Sequence, residues 1–314
     1  MNSRNNTGIA MVAFLVWLFM SLVSAHADDP ANIDLSEEIA RQEEVYRSQG
    51  REIPRGYVLD RSLESYTYFL PDAFDPALAS LGPQDRWLDI GAGHGLAVLD
   101  YYTPQYDKTH RAGRKRRGKK AQSVALSIED RRTPRWKKAV AALDAGKVQY
   151  LYGRRLWEYS PEELGRFQLV TDVMGGFSYT PDLTRFMQSV MLLLELDGSF
   201  FTVLQDVKLE QEPNKPFYDG YPFATEIESP AGSNATICSW LKSISCTEVH
   251  CEAREAWGPP LEVYHVRKVC NDISVPALVP VDFSAGTPPQ RGFRFGGAVR
   301  KPAPKPEAWG DRPR

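Results

Sequence analysis

An acidic residue and three glycines alternate where a short apolar segment ends. The segment reads Trp87-Leu88-Asp89-Ile90-Gly91-Ala92-Gly93-His94-Gly95. Glycines with this spacing allow the backbone to turn tightly and to approach a ligand closely. A helix that starts at Gly95 would direct its free N–H groups to the same place. The segment therefore predicts a pocket for a nucleotide-like ligand at the carboxyl end of a strand.

Two phosphate-binding motifs are excluded at this position. The dinucleotide fingerprint G-x-G-x-x-G/A, read from Gly91, needs a small residue where Leu96 stands, so we expect no NAD binding. A P-loop needs Gly-Lys followed by Ser or Thr, which this segment lacks. A glycine turn that binds no ligand is the alternative that the motif leaves open.

Apolar patterns on both sides of the glycine segment predict alternating strands and helices. Predicted strands cover residues 86–90, 123–128, 148–152, 167–173 and 199–204, and predicted helices cover 95–102, 136–143 and 182–194. This alternation is typical of a Rossmann-like α/β fold, with a mainly parallel sheet and helices on both faces. Two alternating segments, 243–252 and 261–269, predict a C-terminal antiparallel hairpin that completes the sheet.

The pattern D-x-G-x-G-x-G resembles motif I of the class I S-adenosylmethionine-dependent methyltransferases. Further similarity to this superfamily extends along the chain from Asp85 to Val269. The resemblance implies S-adenosyl-L-methionine as the cofactor and an enzyme that transfers a methyl group to a small-molecule or lipid acceptor. A catalytically silent binding domain that keeps the same fold is the alternative.

The resemblance also implies a set of cofactor-binding residues. Glu129 is expected to hold the ribose hydroxyls, with Asp130 as the fallback, because a carboxylate accepts two hydrogen bonds. Asp89 is expected to attract the cofactor's ammonium group, and Asp172 to line the floor of the site. Arginines stand where many members have an acid that binds the adenine amino group, so the adenine contact is unassigned. The implied set is Asp89, Gly91, Ala92, Gly93, Gly95, Glu129, Asp130 and Asp172.

Three side chains are candidates to face the methyl acceptor, namely Asp172, Tyr179 and His94. Methyl transfer depends mainly on holding the nucleophile and the methyl group in line, and a base is needed only if the nucleophile must lose a proton. Packing on the pocket rim is the alternative role for Tyr179. A variable loop position is the alternative for His94.

The first residues have the composition of an export segment. Arg4 precedes the apolar residues 8–23, and Ser24-Ala25-His26-Ala27 provides a cleavage site before Asp28. We expect a signal peptide over residues 1–27, with a retained signal anchor as the alternative, and an extracytoplasmic location, periplasmic or secreted. The remaining predicted units are a helical cap over 28–82, the methyltransferase domain over 83–283 and a Pro/Arg-rich disordered tail over 284–314.

Cysteines and basic residues add two expectations. We expect at least one disulfide, because four cysteines in an exported chain permit two, and their spacing does not favour a metal site. The four are Cys238, Cys246, Cys251 and Cys270, and their pairing is open. A dense basic segment begins at Lys108 and ends at Lys120, although the formal net charge of the chain is only -2. It predicts either a polyanion-binding surface or a solvated loop without a partner.

Overall fold

The structure is a computed structural model that describes residues 61–102, 121–204, 225–254, 261–284 and 290–296. All of them belong to Val45–Arg314, one of the two units into which the chain divides. The export segment, the basic segment and residues beyond 296 lie outside the described residues, so the expectations about them stay predictions. Within the described ranges, no helix is both long enough and apolar enough to cross a membrane.

Eleven strands form two sheets in the described part of the chain. They are β1 Arg86–Ile90, β2 Gln122–Leu126, β3 Val148–Leu151, β4 Phe167–Val173, β5 Leu194–Leu204, β6 Thr225–Glu228, β7 Asn234–Ala235, β8 Thr247–Arg254, β9 Leu261–Lys268, β10 Leu278–Ser284 and β11 Gln290–Phe295. The main sheet has the order β3-β2-β1-β4-β5-β9-β8. Its first five strands are parallel, and β9 and β8 add an antiparallel hairpin. The predicted mainly parallel sheet with a terminal hairpin is confirmed.

Helices cover both faces of the main sheet, as predicted. They are α1 Leu63–Phe69, α2 Phe74–Ser80, α3 Leu96–Tyr101, α4 Pro134–Ala141, α5 Pro161–Leu164, α6 Gly176–Tyr179, α7 Leu183–Leu193 and α8 Ile237–Lys242, with a 3-10 turn over Leu156–Glu158. Trp87 of β1 packs in the cluster that contains helices α1 to α4, whereas its neighbour Leu88 packs with α7 and α8. Successive side chains of a strand point to opposite faces, so these clusters are two separate layers of core.

Local sequence explains where several of these helices begin. Ser62 and Thr133 precede α1 and α4, and each hydroxyl accepts a hydrogen bond from a backbone N–H of the first turn, at 3.2 Å and 3.1 Å. Asp182 does the same for α7. Such caps satisfy N–H groups that have no partner inside the helix. The first residues of α1, α4 and α7 are therefore encoded partly by polar residues just before them.

A second sheet was absent from the sequence-based prediction. It has the order β10-β11-β6-β7, and β11 lies inside the segment predicted to be a disordered tail. That prediction is wrong for Gln290–Phe295, because Phe293 and Arg291 are buried there, at 2% and 3% exposure. Phe293 packs into the core layer that contains α7 and α8. A few well-placed apolar contacts thus outweigh a composition rich in proline, glycine and arginine.

The boundaries of two predicted strands also need correction. The strand predicted over residues 199–204 is longer in the structure, because β5 begins at Leu194. An irregularity in its pairing with β4 accommodates Asp197, whose φ is 60°. The first strand of the hairpin begins at Thr247 rather than at residue 243, because α8 and a short turn precede it.

The four cysteines form two disulfides, which confirms the expectation of at least one. Cys238 on α8 is bonded to Cys251 on β8, and Cys246 before β8 is bonded to Cys270 after β9. The first bond ties α8 to the hairpin, and the second joins the two ends of the hairpin itself. The sequence spacing had left this pairing open.

Candidate active site

Three loops meet at the carboxyl ends of the parallel strands. From β1 the chain continues to β2 and then β3, which lie on one side of β1 in the sheet. From β4, on the other side of β1, it continues to β5, so the direction in which strands are added reverses between β1 and β4. Open α/β sheets bind ligands at such a switch point. The loops after β1, β2 and β4 carry Gly91, Glu129 and Gly175 respectively. The fold therefore brings together the segments that the sequence singled out.

The glycine loop after β1 packs directly against the loop after β4. Gly91, Gly93 and Gly95 all have a positive φ, of 70°, 56° and 75°. A Cβ atom on Gly91 would lie 2.6 Å from the Cα of Gly175, which is closer than real Cβ contacts allow. Glycine at this position is therefore required by the approach of the two loops as well as by the backbone conformation.

Aromatic side chains from neighbouring elements hold the glycine loop in place. The hydroxyl of Tyr150 on β3 donates to the carbonyl of Gly93 at 2.5 Å, and the indole N–H of Trp136 on α4 donates to the carbonyl of Gly95 at 3.3 Å. Burial raises the pKa of Tyr150 to about 12, so this hydroxyl stays a donor at neutral pH. The loop is thus pre-arranged by its surroundings rather than left to order on a ligand.

Asp89 lies at the end of β1 with its carboxylate fully buried, at 0% exposure. The hydroxyl of Tyr66 on α1 donates to both of its oxygens, at 3.0 and 3.1 Å. The hydroxyl of Thr171 on β4 donates to Oδ1 at 2.8 Å. The carboxylate therefore contacts hydroxyl groups of the protein, and its expected attraction for an ammonium group stays a prediction. Nothing in the spacing of the motif pointed to Tyr66, which lies far away in sequence.

The two acids after β2 differ in their surroundings. Asp130 accepts two hydrogen bonds from the guanidinium of Arg132, both at 2.7 Å, and this pairing lowers the pKa of Asp130. Glu129 makes a longer contact of 3.2 Å with Arg131. Asp130 is held by a fork-shaped partner that matches both of its oxygens. The contact of either acid with a ligand stays a prediction.

Two exposed apolar side chains flank this acidic edge. Ile128 follows β2 and Tyr152 follows β3, and they are 42% and 47% exposed. The two strand ends are joined, since the N–H of Gly153 donates to the carbonyl of Ile128 at 2.9 Å. The sequence-based analysis missed this pair. In the sequence, each of the two is simply an apolar residue at the end of a predicted strand. Such residues are common in buried strands, so they do not indicate a binding surface.

The arginines at the unassigned adenine position contact a different part of the fold. The guanidinium of Arg154 lies 3.8 Å from the centre of the Tyr159 ring and contacts Glu163 at 3.0 Å. Arg155 lies 5.5 Å from the ring of Trp157. Both arginines therefore make their contacts with the 3-10 turn and α5, the segment that connects β3 to β4.

Asp172 shapes the loop after β4. It is fully buried, and its two oxygens accept hydrogen bonds from the backbone N–H groups of Gly175 and Phe177, each at 3.0 Å. Burial raises the pKa of Asp172 to about 7, against the effect of these hydrogen bonds. The carboxyl group thus stabilises the turn after β4 through these two hydrogen bonds. Its contact with a ligand stays a prediction.

The other acceptor-facing candidates lie at the same edge. Tyr179 is on α6, where burial raises the pKa of its hydroxyl, and His94 is half-buried in the glycine loop. Met174 follows β4 directly and is a non-glycine residue with a φ of 50°. Its sulfur accepts a hydrogen bond from the guanidinium of Arg61 at 3.0 Å. Strained backbone of this kind concentrates at functional sites, because only the surrounding structure can maintain it.

The second sheet also reaches this loop, through Arg291. Its guanidinium is buried and donates to the carbonyls of Phe177 and Thr180, at 2.7 Å and 3.0 Å, and to the hydroxyl of Thr225. Arg291 of β11 therefore binds backbone carbonyls within and just after α6, the helix that carries Tyr179. Sequence reasoning missed this contact because it assigned Arg291 to the disordered tail.

Comparisons with known proteins found similar folds only among solved structures. No protein-family model matches the chain, and no curated protein matches it. A precorrin-6Y C5,15-methyltransferase from Geobacter metallireducens is 12% identical, with a TM-score of 0.36, over 62% of this chain and 87% of that one. The N-methyltransferase NodS from Bradyrhizobium japonicum is 10% identical, with a TM-score of 0.38, over 66% and 97%.

A third similar structure covers more of the chain. It is an O-methyltransferase family protein from Burkholderia thailandensis, 10% identical, with a TM-score of 0.40, over 83% of this chain and 70% of that one. All three are named as methyltransferases, and each name describes that protein alone.

Proposed function

We propose that this chain binds S-adenosylmethionine at the carboxyl edge of its main sheet and transfers the methyl group to a small-molecule or lipid acceptor. The observation that carries the proposal is the convergence of the positive-φ glycine loop after β1 with the acid after β2, at the switch point of the strand order. The resemblance of the glycine segment to motif I of the class I methyltransferases supports the same ligand.

The donor set at this edge fits the cofactor. Glu129 offers a carboxylate for the two ribose hydroxyls, and such a group accepts both hydrogen bonds. Ile128 and Tyr152, at the ends of the neighbouring strands β2 and β3, offer exposed apolar surface that suits a face of a base. The glycine loop presents its backbone to the amino-acid end, close to the negative charge of Asp89. Each part of the ligand therefore has a complementary group.

When bound, S-adenosylmethionine supplies a methyl group on a positively charged sulfur, which a nucleophile of the acceptor displaces. The protein's own work is to hold the nucleophile in line with that methyl group. Met174, Tyr179 and the half-buried His94 lie at the edge where an acceptor would enter. Tyr179, whose hydroxyl stays protonated because burial raises its pKa, would orient the acceptor, and His94 would receive its proton.

The test is a calorimetric titration with S-adenosylhomocysteine, the demethylated product. Glu129→Gln removes the negative charge and one acceptor while keeping the side chain's shape. We expect its affinity to fall by about twofold to tenfold, since the one lost hydrogen bond is worth about 0.5–1.5 kcal/mol. The matched control is Glu248→Gln on β8, an exposed acid paired with Arg267, whose change should leave affinity unaltered.

Two outcomes contradict the proposal. The first is a wild-type protein that does not bind the product at millimolar concentration. The second is an equal loss of affinity in the two glutamine variants, because this would show that Glu129 has no special role. Binding without methyl transfer to any acceptor would favour the catalytically silent domain.

A further inference from the structure

Helix α1 and Arg61, two residues before it, contact three elements of the candidate site through polar groups. The hydroxyl of Tyr66 donates to Asp89 at the end of β1, and the N–H of Leu63 donates to Asp100 of α3 at 3.0 Å. The contact of Arg61 with Met174, described above, reaches the loop after β4. This N-terminal segment is thus connected to β1, to α3 and to the loop after β4.

Among these contacts, that of Tyr66 joins a buried chain of hydrogen bonds. The indole N–H of Trp87 donates to the hydroxyl of Thr171 at 2.8 Å, and Thr171 donates to Asp89 at 2.8 Å. Tyr66 donates to the same carboxylate. The four side chains of this chain, those of Trp87, Thr171, Asp89 and Tyr66, are at most 2% exposed. Hydroxyl groups from two different elements, Tyr66 of α1 and Thr171 of β4, donate to the carboxyl oxygens of Asp89. Their directions therefore determine how the carboxylate of Asp89 is oriented.

Packing makes this orientation sensitive to the hydroxyl alone. The ring of Tyr66 is buried against its neighbours in α1 and α2, with the ring of Phe74 at a centroid distance of 6.4 Å. A phenylalanine would keep those apolar contacts and remove one donor from the carboxylate. Because Asp89 is two residues before Gly91, a change in its orientation acts next to the backbone that would meet the amino-acid end of the cofactor.

We propose that Tyr66 is a positioning residue for the amino-acid end of the cofactor, acting through the carboxylate of Asp89, so that α1 and the cofactor stabilise each other. The inference rests on the proposed function, because it assumes that S-adenosylmethionine is the ligand. It goes further in assigning the N-terminal helix a part in cofactor affinity. A helix that only covers apolar surface would have no such effect.

The test compares two ligands that differ only at the relevant end. S-adenosylhomocysteine has the amino-acid group, and 5′-methylthioadenosine lacks it. With Tyr66→Phe we expect the affinity for S-adenosylhomocysteine to fall by about fivefold to fiftyfold, and that for methylthioadenosine to change by less than about twofold. The matched control is Tyr102→Phe, which removes a hydroxyl that contacts Ala121, Ser123 and Lys147 instead. It should leave both affinities unchanged.

Thr171→Val removes the other hydroxyl from the same carboxylate and should show the same selectivity between the two ligands. It keeps the inference testable if Tyr66→Phe does not fold. Equal weakening of both ligands, or unchanged affinity for S-adenosylhomocysteine, overturns the positioning role, since a purely structural tyrosine would lower thermal stability without such selectivity. If the wild-type protein binds neither ligand, the proposed function falls and this inference falls with it.

Discussion

Replacing Gly91 with alanine tests the close approach of the two loops at the candidate site. An alanine at a φ of 70° is in the left-handed region, which costs about 1–2 kcal/mol for an L-residue. Its Cβ would lie 2.6 Å from the Cα of Gly175 and 3.3 Å from the N of Gly176. These are backbone atoms, so relief requires the loop to shift, at a further cost of about 1–3 kcal/mol.

The two contributions together lower the free energy of unfolding by about 2–5 kcal/mol. Gly146→Ala is the matched control, because its φ is 80° but no atom lies within 4 Å of the added Cβ. That variant should lose only the conformational part, about 1–2 kcal/mol. Urea unfolding followed by tryptophan fluorescence measures both losses. Equal losses in the two variants would refute the described contact between the loops.

Three further predictions concern a buried acid, the disulfides and the export segment. Burial raises the pKa of Asp172 from 3.8 to about 7, so the folded protein binds a proton that the unfolded chain releases. The stabilising contribution of that proton is lost as pH rises from about 4 through 7. Urea unfolding at pH 5 and pH 7.5 should therefore show a smaller decrease in the free energy of unfolding for Asp172→Asn than for the wild-type protein. Equal decreases in the two proteins would contradict this prediction. The disulfides close loops with separations of 13 and 24 residues, and reducing them should destabilise the fold by about 3 kcal/mol each. Thermal unfolding with and without reductant measures this, and an unchanged midpoint would be the contrary result. N-terminal sequencing of protein from its native host should find Asp28 first, whereas an intact Met1 in a cytoplasmic fraction would exclude export.

Buried strands of the main sheet could be predicted closely from the sequence. Residues 86–90 and 167–173 were predicted with the bounds that β1 and β4 have in the structure. In β4 every residue except Gln168 is buried, and its apolar residues Phe167, Leu169, Val170 and Val173 do not alternate strictly with polar ones. Parallel strands covered on both faces have this pattern, and a pattern within a few residues is what sequence reasoning detects best.

The second sheet could not be predicted because its pairings are distant in sequence. Strand β11 pairs with β6, and neither has a long apolar run. Phe293, Ile227 and Leu278 are buried residues that join this sheet to the core, and isolated apolar residues of this kind carry little weight in a sequence pattern. A compositional prediction of disorder was the natural result.

At the candidate site, sequence predicted which loops would meet but not what surrounds each side chain. The motif placed Asp89 and the glycines correctly at the end of β1. The burial of Asp89 against Tyr66, and that of Asp172 beneath Gly175, depend on tertiary contacts that a motif does not contain. A motif specifies residue types at short spacing, whereas the state of a carboxylate depends on groups from several elements.

The most direct test of the central claim is calorimetric titration of the wild-type protein with S-adenosylmethionine. We predict saturable binding that S-adenosylhomocysteine prevents by competition, together with no binding and no competition by NAD, since Leu96 breaks the dinucleotide fingerprint. A wild-type protein that binds neither S-adenosylmethionine nor S-adenosylhomocysteine at millimolar concentration would contradict the account.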